Sequence, residues 1–273
     1  MTLRILSSNA WRCDDNKPWW AERCLDCSAT ARTPILLRAY REIAPDVIGF
    51  QEVSRKMQAL LAPALGPLGF EFVSGGDTPV AFRADRLKLL ESGFFLFPEN
   101  VPGLDGSFNN SETKSFTWCV FETRDAEKAR FALVDMHLWW MCEERRPGSD
   151  AAREHQFRMA SAAVAAAMER HGCPGIATGD FNAVPGSPCL RAAADLGWRD
   201  AHDLATAPDE TKGTHPCSAD GFAPRPEPGA FAESIDHVLV KDADCAVLSH
   251  RRLREPWFDP ASDHYPLYCD LSV

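Results

Sequence analysis

No apolar run in this chain approaches the roughly 20 residues that a membrane helix needs, and Met1-Thr2-Leu3-Arg4-Ile5-Leu6 runs straight into Ser7-Ser8-Asn9 instead of an apolar leader core. The sequence therefore predicts no membrane partner. Basic charge is also scarce: 29 Lys plus Arg face 39 Asp plus Glu, a formal net charge of −10, and no basic run extends beyond Arg145-Arg146 and Arg251-Arg252. Proteins that track a nucleic-acid backbone need a positive field, so nucleic acid is not the favoured partner, although a local basic groove stays open. Internal repeats and interdomain linkers are absent, which predicts one domain over 1–273. The motif Cys24-Leu25-Asp26-Cys27 lacks a second ligand pair at similar spacing. It reads as two loop thiols and not as a zinc site. Cys13 and Cys142 would complete a four-sulfur set only if the fold joined their loops. Of the ten cysteines, Cys119, Cys245 and Cys269 sit in strand-like apolar runs where a free thiol behaves as a small hydrophobe, which favours reduced thiols and a cytoplasmic setting.

What is present is ordinary globular material, 45% hydrophobic and 25% charged over 273 residues, enough for a sizeable core. Thr33-Pro34 reads as a helix start and Pro45 as its stop, predicting a helix over 34–44. Further helices are expected near 55–64, 150–170 (capped by Ser149 or Asp150) and 187–195. Strand-like runs fall at Leu3–Ser7, Val47–Phe50, Phe70–Val73, Val80–Arg83, Leu87–Phe97, Phe116–Glu122, Phe131–His137, Ile176–Thr178, Ile235–Val240, Ala246–Ser249 and Tyr265–Leu271. Many strands without strict βαβ alternation predict an α/β fold, a layered sandwich of mixed sheets with outer helices. The Pro-rich stretch from Pro216 to Pro228 reads as a long surface loop, either a lid or a tolerated insertion.

Several of these runs end in residues that bind metals or move protons: Asn9, Gln51-Glu52, His137, Gly179-Asp180-Phe181-Asn182, Ile235-Asp236 and Ser262-Asp263-His264. Strand ends in α/β proteins gather on one rim, so these distant positions can converge. Taken singly, each has a plain explanation: Asp180, Asn182 and Asp263 as turn formers, Glu52 as a helix cap, His137 as a hydrogen-bonded surface residue. That explanation has to be invoked separately for every cluster. Eight tryptophans are many for this length; Trp11, Trp139 and Trp140 follow motif residues closely and can either line a pocket or fill the core. Trp19-Trp20 reads as the most exposed pair. Arg145, Arg146 and Arg153 could grip a phosphate or lie on a solvated helix face.

In order and spacing the clusters resemble the endonuclease/exonuclease/phosphatase superfamily, with its deoxyribonuclease I-like fold, over nearly the whole chain. The resemblance implies a four-layer sandwich of two mixed β-sheets flanked by helices. It implies a phosphoester hydrolase in which Asn9, Glu52 and Asp263 hold Mg²⁺ or Mn²⁺, hard cations suited to oxygen ligands. By the same resemblance Asp180 orients and deprotonates the attacking water and Asn182 donates to the phosphoryl group. His264, paired with Asp236, binds phosphate or acts as the base, and His137 is a second proton carrier. Thr214 and His215 lie where relatives often carry a Thr followed by an aromatic residue or His, which makes them candidate substrate contacts. His237 and Ser234 depart from the commoner residues there. The acidic balance favours a small phosphomonoester or phosphodiester of sugar or nucleotide type; a nuclease and a catalytically silent phosphate-binding module are the alternatives.

Overall fold

The computed structural model describes residues 1–22, 24–109, 111–210, 213–215, 233–241 and 246–273. The expected loop at 216–228 and Cys245 lie outside these residues. Among the described residues, twelve strands form two six-stranded sheets. The first contains β1 (Thr2–Asn9), β2 (Val47–Gln51), β3 (Phe70–Val73), β4 (Val80–Arg83), β11 (Ala246–Arg252) and β12 (Leu267–Ser272), in the order β11-β12-β1-β2-β4-β3. The second contains β5 (Leu87–Leu96), β6 (Ser115–Thr123), β7 (Arg130–His137), β8 (Gly175–Asp180), β9 (Arg199–Asp200) and β10 (Asp236–Lys241), in the order β5-β6-β7-β8-β10-β9. In each sheet the middle pair, β1 with β2 and β7 with β8, is parallel and every other pairing is antiparallel. The two sheets thus share one pairing pattern that no sequence repeat announces.

Alternation of side chains along the strands builds three apolar layers. Leu3, Ile5 and Val47 of the first sheet meet Phe121, Leu133 and Val238 of the second between the sheets. On the far face of the first sheet, Leu6, Ile48 and Phe50 pack against α2 (Ala29–Ile43) and α3 (Arg55–Leu65). Val134 and Met136 of β7 face away from the first sheet and meet α4 (Ser149–His171) and α5 (Pro188–Asp195) through Phe157, Ala160, Val164 and Cys189. The result is the expected four layers. Both parallel central strands β2 and β8 are buried along their whole length, as strands covered on both faces must be.

Three helix starts differ from the sequence expectation. Helix α2 begins at Ala29, capped by Ser28, whose Oγ accepts from Ala31 N at 3.3 Å. Pro34 lies inside it, and the Thr33 hydroxyl bonds back to Ala29 O instead of capping. Ser54, not Glu52, caps α3 through Met57 N. Helix α4 has Gly148 at its N-cap, and neither Ser149 nor Asp150 caps it. Its first N–H groups are met from outside the helix by the Glu143 carboxylate, at 2.7 Å from Gly148 N and 2.9 Å from Asp150 N. Two short helices, α1 (Pro18–Ala21) and α6 (Ala201–Leu204), were not foreseen.

Candidate active site

The topology explains why far-apart motifs meet. The C-terminal ends of β1, β2, β7 and β8 lie on one rim, because each central pair is parallel. Strands β10 and β12 run antiparallel to β8 and β1, so their N-terminal ends arrive at the same rim. His137 is in register with Asp180, and Asp180 with Asp236, giving three polar residues in a row across three strands. Asn9 is in register with Gln51 on the other sheet.

Around a cavity of about 1160 Å³ at this rim, Asp180 is the hub. Its Oδ2 accepts from Asn9 Nδ2 at 3.1 Å and lies 3.5 Å from His137 Nε2 and 3.8 Å from His264 Nε2. Its Oδ1 accepts from the Asn182 backbone N–H at 2.9 Å. Glu52 Oε1 lies 3.7 Å from His137 Nε2, and Glu52 Oε2 accepts from Arg12 N at 2.7 Å. His264 Nδ1 meets Asp236 Oδ2 at 2.7 Å, and Thr214 Oγ1 donates to the same oxygen at 2.5 Å. Three residues that leave the strands here, Trp11, Glu52 and Asn182, have positive φ (54°, 59° and 49°), a conformation non-glycine residues enter at a cost and that clusters at functional sites. The break at Glu52 separates two adjacent roles. Glu52 lines the cavity, while Gln51 goes between the sheets and donates to Asp135 Oδ1 at 2.6 Å.

Glycine in the Gly179-Asp180 step has a steric reason. At φ +148°, a Cβ there would stand 2.0 Å from the Met136 carbonyl oxygen, so only glycine lets β8 approach β7 closely enough to set Asp180 beside His137.

Burial drives the electrostatics. It pushes the Asp180 carboxyl up to about 7, with the Asp236 and Glu52 carboxylates adding to the rise against His264. Burial likewise raises Asp263 to about 6, helped by Glu52 and opposed by His264. Glu52 goes the other way: burial would raise it, but the His137 ring, the Lys114 ammonium and the Arg12 N–H bring it to about 2. Burial and the Lys114 cation hold His137 well below its usual value, with the Glu52 carboxylate opposing them. For His264 the burial penalty is overcome by Asp236 and Asp180, and its pKa stands well above the ordinary range. The imidazolium is therefore the resting form of His264.

The structure brings Asn9, Glu52, His137, Asp180, Asn182, Asp236, Asp263 and His264 to this one rim. Among the other candidates only Trp140 is an exposed cavity wall, 47% accessible. Trp139 is buried, with its indole N–H on Ser149 Oγ at 3.0 Å and its backbone N–H on Gln156 Oε1 at 2.8 Å, both residues of α4. Trp11 packs on Trp20 and on the Arg32 guanidinium, and Trp20 is buried, contrary to the exposed Trp19-Trp20 pair expected. Arg153 reaches the cavity wall, but its guanidinium is taken up by Asp150 and the Trp139 and Met141 carbonyls. Thr214 is buried behind Asp236 and holds that carboxylate. His237 packs edge-on against Phe181 and meets Ala183 O at 2.7 Å. Cys27 and Cys13 approach to 3.6 Å, while Cys24 and Cys142 are exposed, so no four-sulfur set forms. Lys114 was not anticipated. Its Nζ lies 2.5 Å from His137 Nε2, and it comes from a polar loop segment, Ser-Glu-Thr-Lys-Ser, with no pattern to single it out.

Glu52 and Asp263 are carboxylates that repel one another across the rim, and the Asn9 amide meets Asp180 at 3.1 Å. Glu52 with His137 and Asp180, and Asp263 with His215 and His264, are grouped closely enough to hold a metal ion, and their carboxylate oxygens suit a hard divalent cation.

A sequence profile of the endonuclease/exonuclease/phosphatase family matches residues 31–264. No curated protein sequence matches the chain. Among solved structures, an endonuclease/exonuclease/phosphatase from Bacteroides vulgatus is 20% identical, with a TM-score of 0.77 over 100% of this chain and 99% of that one. A mannosyl-6-phosphatase from Bacteroides thetaiotaomicron is 18% identical, with a TM-score of 0.74 over 99% of this chain and 100% of its own. TDP2 from D. rerio, complexed with a single-stranded DNA product, is 17% identical, with a TM-score of 0.69 over 100% and 99%. These likenesses establish a deoxyribonuclease I-like fold.

Proposed function

The chain belongs to the endonuclease/exonuclease/phosphatase family, whose members are phosphoesterases and nucleases, and on that premise we propose that it hydrolyses a small organic phosphoester of sugar or nucleotide type, as one domain over residues 1–273. One observation carries the reaction class: Asp180 stands between His137, Asn9 and the His264–Asp236 pair, with Glu52 and Asp263 on the same cavity. Glu52, Asp263 and Asn9 would hold Mg²⁺ or Mn²⁺, which when bound neutralises phosphoryl charge. Asp180, with a carboxyl near 7, is matched to orient a water and take its proton as it attacks phosphorus. The His264 imidazolium, fixed by Asp236, binds the phosphoryl oxygens as negative charge grows there. Asn182 closes the same side of the site, and Lys114 with His137 adds cationic and hydrogen-bonding support opposite.

The choice of a small ester rests on the cavity's cations. Among the described residues lining it, Lys114 and His264 lie at the reacting centre, and the two arginines beyond them are paired, Arg12 with Asp77 and Arg153 with Asp150. With these engaged, the wall that Glu143, Glu144 and Asp150 share disfavours a second phosphate and a polyanionic strand. The half-exposed Trp140 offers a flat apolar face to a sugar or base. A mannosyl-6-phosphatase of the same fold agrees with this reading.

The test is a substrate panel with Mg²⁺ or Mn²⁺: sugar phosphates, nucleoside monophosphates, small diesters, an oligonucleotide and a plasmid. Turnover confined to small esters is expected. Preferential cleavage of the oligonucleotide or plasmid establishes the nuclease alternative, for which the DNA-bound relative is the precedent. No hydrolysis of any phosphoester establishes a silent binding module.

A further inference from the structure

Arg32 is 1% exposed, its guanidinium hydrogen-bonded to backbone carbonyls and its charge favoured by the Asp263 carboxylate. A guanidinium has five N–H bonds, and here the five contacts go to backbone carbonyls of three separate segments. Nη1 donates to Ala10 O at 2.5 Å and Ala261 O at 2.8 Å; Nη2 donates to Trp11 O and Cys13 O, both at 2.8 Å; Nε donates to Cys27 O at 2.8 Å. The Trp11 ring lies over the same group, 5.1 Å from it.

Two of the segments so joined lie against the candidate metal ligands. In the turn 10–13, the Trp11 N–H donates to Asn9 Oδ1 at 2.9 Å and the Arg12 N–H to Glu52 Oε2 at 2.7 Å. Ala261 leads into Ser262, whose hydroxyl donates to Asn9 O at 2.6 Å, and then into Asp263. Arg32 thus holds the carbonyls of a turn whose amides hold two ligands, and it ties that turn to the loop bearing the third. A rigid charged fork is also costly to bury where its hydrogen bonds go to neutral carbonyls, so a purely space-filling purpose would be met more cheaply by an apolar side chain.

We propose that Arg32 is a positioning residue which, by clasping the turn 10–13 to the Ala261 carbonyl, sets the aim of Asn9, Glu52 and Asp263 toward the divalent cation. The inference rests on the metal-dependent reading above. Arg32→Lys keeps the charge but cannot reach five carbonyls. In the full-length chain it should raise the Mn²⁺ dissociation constant about 10-fold or more, measured by calorimetry without substrate, while kcat at saturating metal recovers most of the wild-type value. Val164→Ala, in the far core between α4 and β7, serves as a control for lost stability and should leave Mn²⁺ binding unchanged. A lysine variant with lowered Tm and wild-type Mn²⁺ affinity overturns the clasp. Absence of Mn²⁺ binding by the wild-type chain overturns instead the metal reading beneath it. Should the variant not fold, amide exchange in the wild-type chain decides. The Trp11 and Arg12 amides and those of 262–264 should gain protection together on adding Mn²⁺, and protection confined to one loop refutes the proposal.

Discussion

Asp180 illustrates how one carboxylate is tuned by position. Buried at the end of β8 and facing other acids, it carries a carboxyl near 7, where an exposed aspartate titrates near 4. Asp180→Asn should lower kcat by about 10² to 10⁴-fold with circular dichroism preserved and no fall in Tm; loss of activity accompanied by unfolding would mean that the residue is structural. The same shift has a consequence for stability. A group that binds its proton more tightly when folded lowers stability as pH rises between its unfolded and folded values. In EDTA, wild type should therefore lose stability relative to Asp180→Asn as pH climbs from about 4 to about 7. Denaturant titration of the pair checks this, and parallel pH curves count against a raised Asp180. Glu52→Gln should raise the Mg²⁺ concentration needed for half-maximal rate more than it raises KM, and an unchanged Mg²⁺ titration removes Glu52 from the ligand set. At this scale the sequence was legible where a polar residue directly follows an apolar strand, as with Glu52, His137 and Asp180. It was silent on Lys114 and Arg32, since nothing in a polar loop or on a helix tells which cation ends up buried beside which partner. Adjacency misled for Trp11 and Trp139: the chain leaves its strand at both places, and Trp11 is half-buried against Trp20 and Arg32 while Trp139 is buried beside α4.

Among the elements, the contact of β7 with β8 is the tightest constraint on the site. Gly179→Ala would drive a Cβ against a backbone carbonyl that cannot rotate away, so a loss of about 2 to 3 kcal/mol or more is expected in denaturant unfolding. Wild-type stability in that variant would show that the strands can part. Helix α4 makes a milder case. Glu143→Ala removes both N–H contacts at its start and should cost about 1 kcal/mol, read as a small fall in Tm. The misplaced helix starts have a common cause. Thr33-Pro34 is a good local start signal, but the Ser28 cap lies upstream and tertiary contacts of Arg32 and Leu36 extend the helix past it. For α4 the capping group lies outside the helix altogether, in the preceding turn, a placement that local patterns do not reveal. Strand positions were recovered more fully because an apolar run between polar turns is itself the cause of burial, whereas the order in which strands pair depends on contacts far along the chain.

For the molecule as a whole, a net charge of −10 and engaged cations around the cavity should make binding to a generic oligonucleotide weak, with an affinity nearly independent of salt. Fluorescence anisotropy over a salt series checks this. Each phosphate neutralised contributes a slope of about −0.7 for a single strand, so a steep dependence would reveal a binding track and turn the reading toward a nuclease.

The shared pairing pattern places both parallel couples, the strands that present Asn9, Glu52, His137 and Asp180, in the middle of their sheets, with β3, β11, β5 and β9 at the margins. Edge strands fray first because they have hydrogen-bonded company on one side only. Warming should thus loosen this molecule from its borders inward, and the machinery for cleaving the ester would be among the last parts to lose its shape.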